Sequence, residues 1–249
     1  PSDEACWFRR WVMPCLVVLL LGVGVWGSRW AGEMKDAELR SQMLLHAGAI
    51  ARAIDVEMVR ALAFTPADWD SPEFQRMRSQ MTDYARAAGL RGLYSMAWRD
   101  GRIVFGPENY AADDPMASAP GTVYQNPSPE DIAAFQTGQP QSIGLQTDEY
   151  GTFVSAVSPV RDPRTGEVLL VIGVDMEARD WQRAVTLARL LPILSTLALR
   201  VPVLLGYGAM RWRSGLSQER RWQFRYLEAG ACLVIGVAFS LANGWRVHV

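Results

Sequence analysis

Histidine and cysteine are scarce in this chain. Its 249 residues hold two histidines, His46 and His248, which excludes a His-rich metal site. The three cysteines are Cys6, Cys15 and Cys232, and the stretch from 29 to 183 has none. A disulfide framework is thereby excluded there, and roughly 155 residues must be held by a packed core, ample length for one domain. No internal repeat or low-complexity tract occurs.

Charge is missing in three places. Residues 11–27 and 229–245 carry no charged side chain, and 184–210 carry only Arg189 and Arg200. A bilayer span needs about 20 mostly apolar residues, so all three runs are expected as transmembrane helices. No A-x-A-like cleavage site follows the first, which favours a signal anchor over a cleaved signal peptide. Cys15 lies near the start of that run, whereas a lipidated cysteine would follow it, so no lipoprotein is expected. Arg200, near the middle of the second run, either pairs with another helix or snorkels to the interface. Pro192 and Pro202 are expected to kink that helix.

The charge that is present is unevenly placed. The net charge of −1 hides the split. Arg9 and Arg10 precede the first run, and 211–228 holds five Arg against two Glu. Residues 29–183 hold 15 basic and 22 acidic side chains, a net −7. The positive-inside rule puts 1–10 and 211–228 in the cytoplasm and 28–183 outside, leaving 246–249 as the start of a further external segment. Trp26 and Trp30 would anchor the first helix at the outer interface, and Trp212 the second at the inner one. The basic 211–228 segment lies beside two apolar runs, so membrane lipid headgroups, not nucleic acid, are its expected partner.

Within the external region, Met43, Ala47, Ile50, Ile54, Met58 and Leu62 recur at helical steps, which predicts one long helix over 31–63, continuous with the first span. A second helix should start at Asp70 or Ser71 with Pro72 in its first turn, and stop at Gly89. Residues 92–106 read as two strands around Asp100–Gly101, a strong hairpin signal. Residues 107–127 read as a long loop, and Ser128 with Pro129 opens a short helix closed by Gly138. "TFVSAVSPV" and "EVLLVIGVD" read as strands, the second near-continuously apolar and so central. The fold class expected is α+β, a mostly antiparallel sheet with helices on one face. Asp175 reads as the N-cap of the helix leading to the second span.

The stretches "DPMASAPGTVYQNP" (114–127), "DEYGTFVSAVSPVRDPRTGEV" (148–168) and "VIGVDMEARDW" (171–181) resemble the PAS-like Cache sensor domains of bacterial membrane signalling proteins. The resemblance covers roughly residues 30–183 and implies a periplasmic sensor domain anchored in the inner membrane. In similar proteins a histidine kinase or diguanylate cyclase module, or a second external sensor, follows; the kinase and cyclase motifs are not in this sequence. The expectation is the sensory part of a longer, two-component-type protein.

A PAS-like pocket lies between the sheet and the long crossing loop. Its candidate ligand-binding residues are Tyr94, Trp98, Phe153 and Ser155 from the sheet, and Tyr124, with Asn126, from the loop. Asp148 and Tyr150 would stand at the rim. The competing readings are that the aromatics only fill the core and that Asp148–Gly151 is only a turn. Catalysis by Asp148 and Glu149 finds no Ser/His/Asp partner, so no catalytic residue, metal site or cofactor is expected. The ligand class implied is an amino acid, amine or carboxylate. Function is read as small-molecule sensing, with a ligand-induced shift passed to the 184–210 helix, in a homodimer formed through the 31–63 stripe. The alternative is a membrane scaffold whose external domain binds a protein.

Overall fold

A computed structural model of the chain describes the backbone of residues 3–214 and the side chains of residues 15–208 and of Trp212. The expected third span, 229–245, and the basic segment beyond residue 214 lie outside the described residues. The elements are α1 (Asp3–Ala53), α2 (Val56–Ala61), α3 (Pro72–Ala88), β1 (Gly92–Arg99), β2 (Arg102–Glu108), α4 (Pro129–Thr137), β3 (Gln141–Thr147), β4 (Thr152–Arg161), β5 (Val168–Glu177) and α5 (Ala178–Ser214). They fall into two compact units, Ala31–Ala188 and the described residues outside it.

The first unit is built on a five-stranded antiparallel sheet in the order β2-β1-β5-β4-β3. The near-continuous apolar run of β5 is explained by its place: both neighbours and both faces are covered. Leu170, Ile172 and Val174 point to one face, against Met43, Ala47 and Ile50 of α1 and Phe74, Met77 and Met81 of α3. Val171 points to the other face, among Tyr94, Met96, Phe105 and Tyr124. The β1–β2 hairpin turns on Asp100 and Gly101 at φ 49° and 76°, the positive pair that a two-residue turn of matching twist requires. Ser71 and Ser128 cap α3 and α4, and Gly89 and Gly138 close them in the left-handed conformation.

The helix expected over 31–63 is continuous with the first apolar run but ends ten residues early. Asp55 takes the Glu57 amide on its side chain and starts α2 as a separate turn. A side chain that offers the backbone an alternative acceptor interrupts a helix in this way. The stripe itself keeps its direction: all six of its residues are buried inside this unit. It therefore leaves no apolar face for the expected homodimer contact. Asp175 is not a cap either, because β5 runs on to Glu177 and α5 starts at Ala178. Strand β3, which carries no clear alternation, is an addition to the sequence reading.

One acid ties α1 to α5 and, through Arg40, to β3 within this unit. Asp36 of α1 accepts from Trp181 Nε1 of α5 at 2.7 Å and from Arg40 Nε at 2.9 and 3.0 Å. Arg40 also donates to the Ile143 carbonyl of β3 at 3.1 Å.

Among the described residues, two helices are long and apolar enough to cross a membrane, Cys15–Ala53 and Ala178–Gly208. Gly24 and Gly27 of α1 lie against Thr196 and Pro192 of α5, where small residues allow close backbone approach. α5 stays a single helix with Pro192 and Pro202 inside it. Trp26 and Trp30 stack at 6.3 Å on the outside of α1. Arg200 is half-buried and its Nε has no partner among the described residues.

Leu170 is fully buried on the central strand. Leu170→Ala is expected to destabilise the detergent-solubilised chain by about 2–5 kcal/mol in urea titration. Leu145→Ala, at a 53% exposed position, is expected to change stability by less than about 0.5 kcal/mol.

Candidate functional site

The alternation of β5 puts Asp175 on the same face as Gly173 and Val171. Gly173 has no side chain because the Tyr94 ring of β1 crosses it; any Cβ there would collide with that ring. Lying over Gly173, Tyr94 donates its hydroxyl to Asp175 Oδ1 at 3.1 Å. Ser155, paired with Asp175 across β4 and β5, hydrogen-bonds the same carboxylate. The face continues through Phe105 of β2, which meets Tyr94, Tyr124 and Tyr150 at ring distances of 5.9, 5.2 and 5.6 Å.

The long loop and the β3–β4 turn close over this face. Asp148 Oδ1 accepts from the amides of Tyr150 and Gly151, and Oδ2 accepts from Tyr124 at 2.8 Å. Glu149 accepts from the Gln125 amide and from Asn126. Tyr150 and Ser118 share a hydroxyl hydrogen bond of 2.8 Å, and the Ser118 amide donates to Glu108 Oε1 at 2.7 Å. "DEYG" is thus a strap: its two carboxylates are fastened to 124–126, and its tyrosine is held by the loop.

Under the strap is a cavity of about 20 Å³, which has room for about one water molecule. Three acids line it, Glu108, Asp148 and Asp175, with four tyrosines, Tyr94, Tyr110, Tyr124 and Tyr150. Phe105, Met116 and Ser118 complete the lining, so none of the ten residues is basic. Arg78 of α3 bonds the Tyr110 carbonyl at 2.6 Å and bears on Glu108 only through space. A fourth acid, Asp131, is 1% exposed, and its Oδ1 has no partner among the described residues.

Burial of uncompensated acids dominates the electrostatics. Desolvation lifts Asp175 to about 7, against the hydrogen bonds from Ser155 and Tyr94 that favour its charged form. Asp175 keeps some accessible surface as a residue, but its carboxyl is enclosed by protein, and the carboxyl's surroundings decide its ionisation. Desolvation lifts Glu108 to about 7 as well, opposed by the Ser118 amide and Arg78. Asp131 is raised by burial, and the hydroxyls of Tyr94, Tyr110, Tyr124 and Tyr150 are all raised, burial first. The acids are not set out as a metal site: among the described residues no group of three His, Cys, Asp or Glu side chains is arranged to hold an ion.

Of the residues singled out from sequence, Tyr94, Tyr124, Asp148 and Tyr150 line this cavity, and Ser155 reaches it through Asp175. Trp98 does not. Two residues further along β1 than Met96, it lies past the cavity's end and is 40% exposed, 5.8 Å from Phe135 of α4, in an open groove of about 400 Å³. Phe153 lines a separate outer cavity of about 250 Å³. Asn126 holds Glu149 outside. Phe105, Glu108, Tyr110, Met116, Ser118 and Asp175 line the cavity without being among the candidates read from sequence. The one available signal was an aspartate two residues after a glycine on the same face of an apolar strand.

No protein-family model matches this chain, and no curated protein does. Solved structures do. The chain is similar to the ligand-binding domain of the Campylobacter jejuni chemoreceptor Tlp3 in complex with 4-methylisoleucine, at 10% identity and a TM-score of 0.43, over 67% of this chain and 63% of that one. It is similar to the E. coli DcuS sensor domain at 12% identity and a TM-score of 0.44, over 61% of this chain and 98% of that one. It is also similar to the ligand-binding domain of the Pseudomonas aeruginosa PAO1 amino acid chemoreceptor PctC in complex with GABA, at 15% identity and a TM-score of 0.34, over 62% of this chain and 64% of that one. The chain therefore spans less than two thirds of the first and third of these.

Because Asp175 and Glu108 are raised to about 7, the folded chain keeps protons that the unfolded chain releases above about pH 4. Stability then falls as pH rises from about 4 to about 7. The melting temperature of the detergent-solubilised chain is expected to drop across that window in a thermal scan, and Asp175→Asn with Glu108→Gln is expected to flatten the drop. An unchanged slope in the double variant would show that these acids are not the groups responsible.

Proposed function

We propose that residues 31–188 form the extracytoplasmic ligand-binding domain of a membrane-anchored sensor, and that its ligand carries an ammonium group. The observation that carries this reading is the set of three carboxylates lining one cavity with no basic side chain among the lining residues. Buried acids without a counter-charge are costly, and a cation supplied from outside removes the cost. The tyrosine faces add cation–π attraction for the same charge. In this reading Asp175 and Glu108 hold the ammonium, Tyr94 and Ser155 orient Asp175, and Tyr150 closes over it. The domain faces the periplasm from a bacterial inner membrane, with the 211–228 arginines against anionic lipid. The chain takes no catalytic part, and its output is the position of α5. A dicarboxylate or other anion is disfavoured, because it would meet acids already paying for desolvation.

The alternative, a scaffold that docks a protein, has the Trp98–Phe135 groove in its favour. Elsewhere in 31–188 the large exposed apolar side chains Met34, Leu45, Leu145 and Leu187 are separated in sequence and lie on three elements.

Thermal-shift measurements on the full chain in detergent test the sensor reading. Primary amines and amino acids at about 100 times their Kd are expected to add roughly 2.7 kcal/mol, a rise of about 5–10 °C. Asp175→Asn is expected to abolish it. Stabilisation by dicarboxylates and not by amines would sink the ammonium reading.

A further inference from the structure

The inner cavity of about 20 Å³ has room for an ammonium-sized group. The rest of any organic ligand must lie elsewhere, and the outer cavity of about 250 Å³ lies directly alongside. Both cavities are lined by Met116 and Tyr150. The partition is therefore made by two side chains. Met116 is flexible and half-buried, and Tyr150 is held at its tip by the single hydroxyl contact to Ser118. The backbone on either side of Tyr150 stays fixed, because Asp148 and Glu149 are tied to 124–126.

The outer cavity is chemically unlike the inner one. Its wall is the Phe153 ring, the Met116 thioether, the Tyr150 ring and Gly151. Gly151, at φ 147°, has its Cα facing the Phe153 ring so closely that a Cβ would meet it at 3.0 Å. The acid at its rim, Glu177, is already paired with Arg91 and with Arg179. Nothing there asks for a counter-charge, and the wall suits an apolar or aromatic body. At its far side are Glu177, Ala178 and Arg179, the junction of β5 and α5, two to four residues beyond Asp175.

We infer that the two cavities are one ligand site in two parts: the inner part holds the ammonium, and the outer part, walled by Phe153, Met116 and Tyr150, holds an apolar or aromatic body against the first residues of α5. The ligand class is an arylalkyl or alkyl ammonium. The inference rests on the ammonium reading of the inner cavity and adds a site for the ligand's body and its point of contact with the output helix. A small cation fills the inner part without touching α5. A bodied amine touches both.

Titration calorimetry and hydrogen exchange on the full chain in detergent test it, with methylammonium, butylammonium and 2-phenylethylammonium as probes. Burying the apolar body is expected to make 2-phenylethylammonium bind about 10- to 100-fold tighter than methylammonium. Phe153→Ala is expected to erase most of that gap and to leave methylammonium unchanged. If Phe153→Ala does not fold, Met116→Ala at the half-buried partition serves in its place and must also narrow the gap. Asp175→Asn is expected to weaken all three probes. 2-Phenylethylammonium, and not methylammonium, is expected to slow amide exchange over residues 178–182. Equal affinity for the three probes, or equal losses in Phe153→Ala, overturns the two-part site and leaves the ammonium reading intact. Binding of neutral 2-phenylethanol as tight as the amine, lost in Phe153→Ala, overturns the ammonium reading and keeps the outer part. No binding of any probe overturns both.

Discussion

The constraint on which this domain turns is the enclosure of carboxylates with no basic side chain among the residues that line their cavity. Asp175 sits at the end of the most buried strand, and neighbouring features follow from holding it there. Gly173 must lack a side chain so that Tyr94 can cross the strand and reach the carboxylate. Ser155 must be small and polar at the paired position on β4. Phe105 spaces three tyrosine rings around it. Glu108 arrives from β2, its charge only partly offset by Arg78 from behind. A fold selected for stability alone would replace such acids with apolar side chains. Their retention at one cavity is the physical ground for reading it as a binding site.

The same strand joins this site to the second apolar helix. β5 ends at Glu177 and α5 begins at the next residue, so the acid that lines the cavity and the first turn of α5 share three residues of backbone. That turn is also fastened sideways. Trp181 donates to Asp36, and Asp36 with Arg40 links α1 to β3. A ligand changes the position of α5 only if it binds two arrangements of this junction with different affinity. Among the described residues, the Trp181–Asp36 hydrogen bond is a polar tie from the first turns of α5 to α1.

Local chemistry was legible in the sequence, and long-range meeting was not. The hairpin at Asp100–Gly101 and the helices opened by Ser71 and Ser128 depend on a few adjacent residues, and the structure has them where those residues put them. The sheet's centre was legible because burial on both faces leaves an apolar run. β3 was not, since an edge strand with only Ile143 buried has no alternation to read. In the site, Tyr94, Tyr124, Asp148 and Tyr150 were found by residue type beside a strand. Glu108 lay inside what read as loop, and its partner Ser118 is ten residues away. Asp175 reads as a cap in the sequence because the helix after it is visible there and the tyrosine across from it, 81 residues earlier, is not. Trp98 followed the right alternation one step too far along its strand.

"DEYG" shows how a pair of carboxylates can matter without doing chemistry. Asp148 spends its acceptors on two amides and a tyrosine hydroxyl, and Glu149 on an amide and an asparagine. Those bonds fix the backbone of the turn, so the part left free to move is the Tyr150 side chain. A loop lid would have to break the three bonds to 124–126 and the Tyr150–Ser118 bond to open, whereas a side-chain gate breaks only the last. At a net value of roughly 0.5–1.5 kcal/mol per hydrogen bond, the gate is the lower route by several kcal/mol. The strap's rigidity also keeps Asp148 beside Asp175 and Glu108 when the gate is open. The three carboxyl groups therefore stay together while a cation enters, and protons held by Asp175 and Glu108 pass to solvent as the ammonium takes their place.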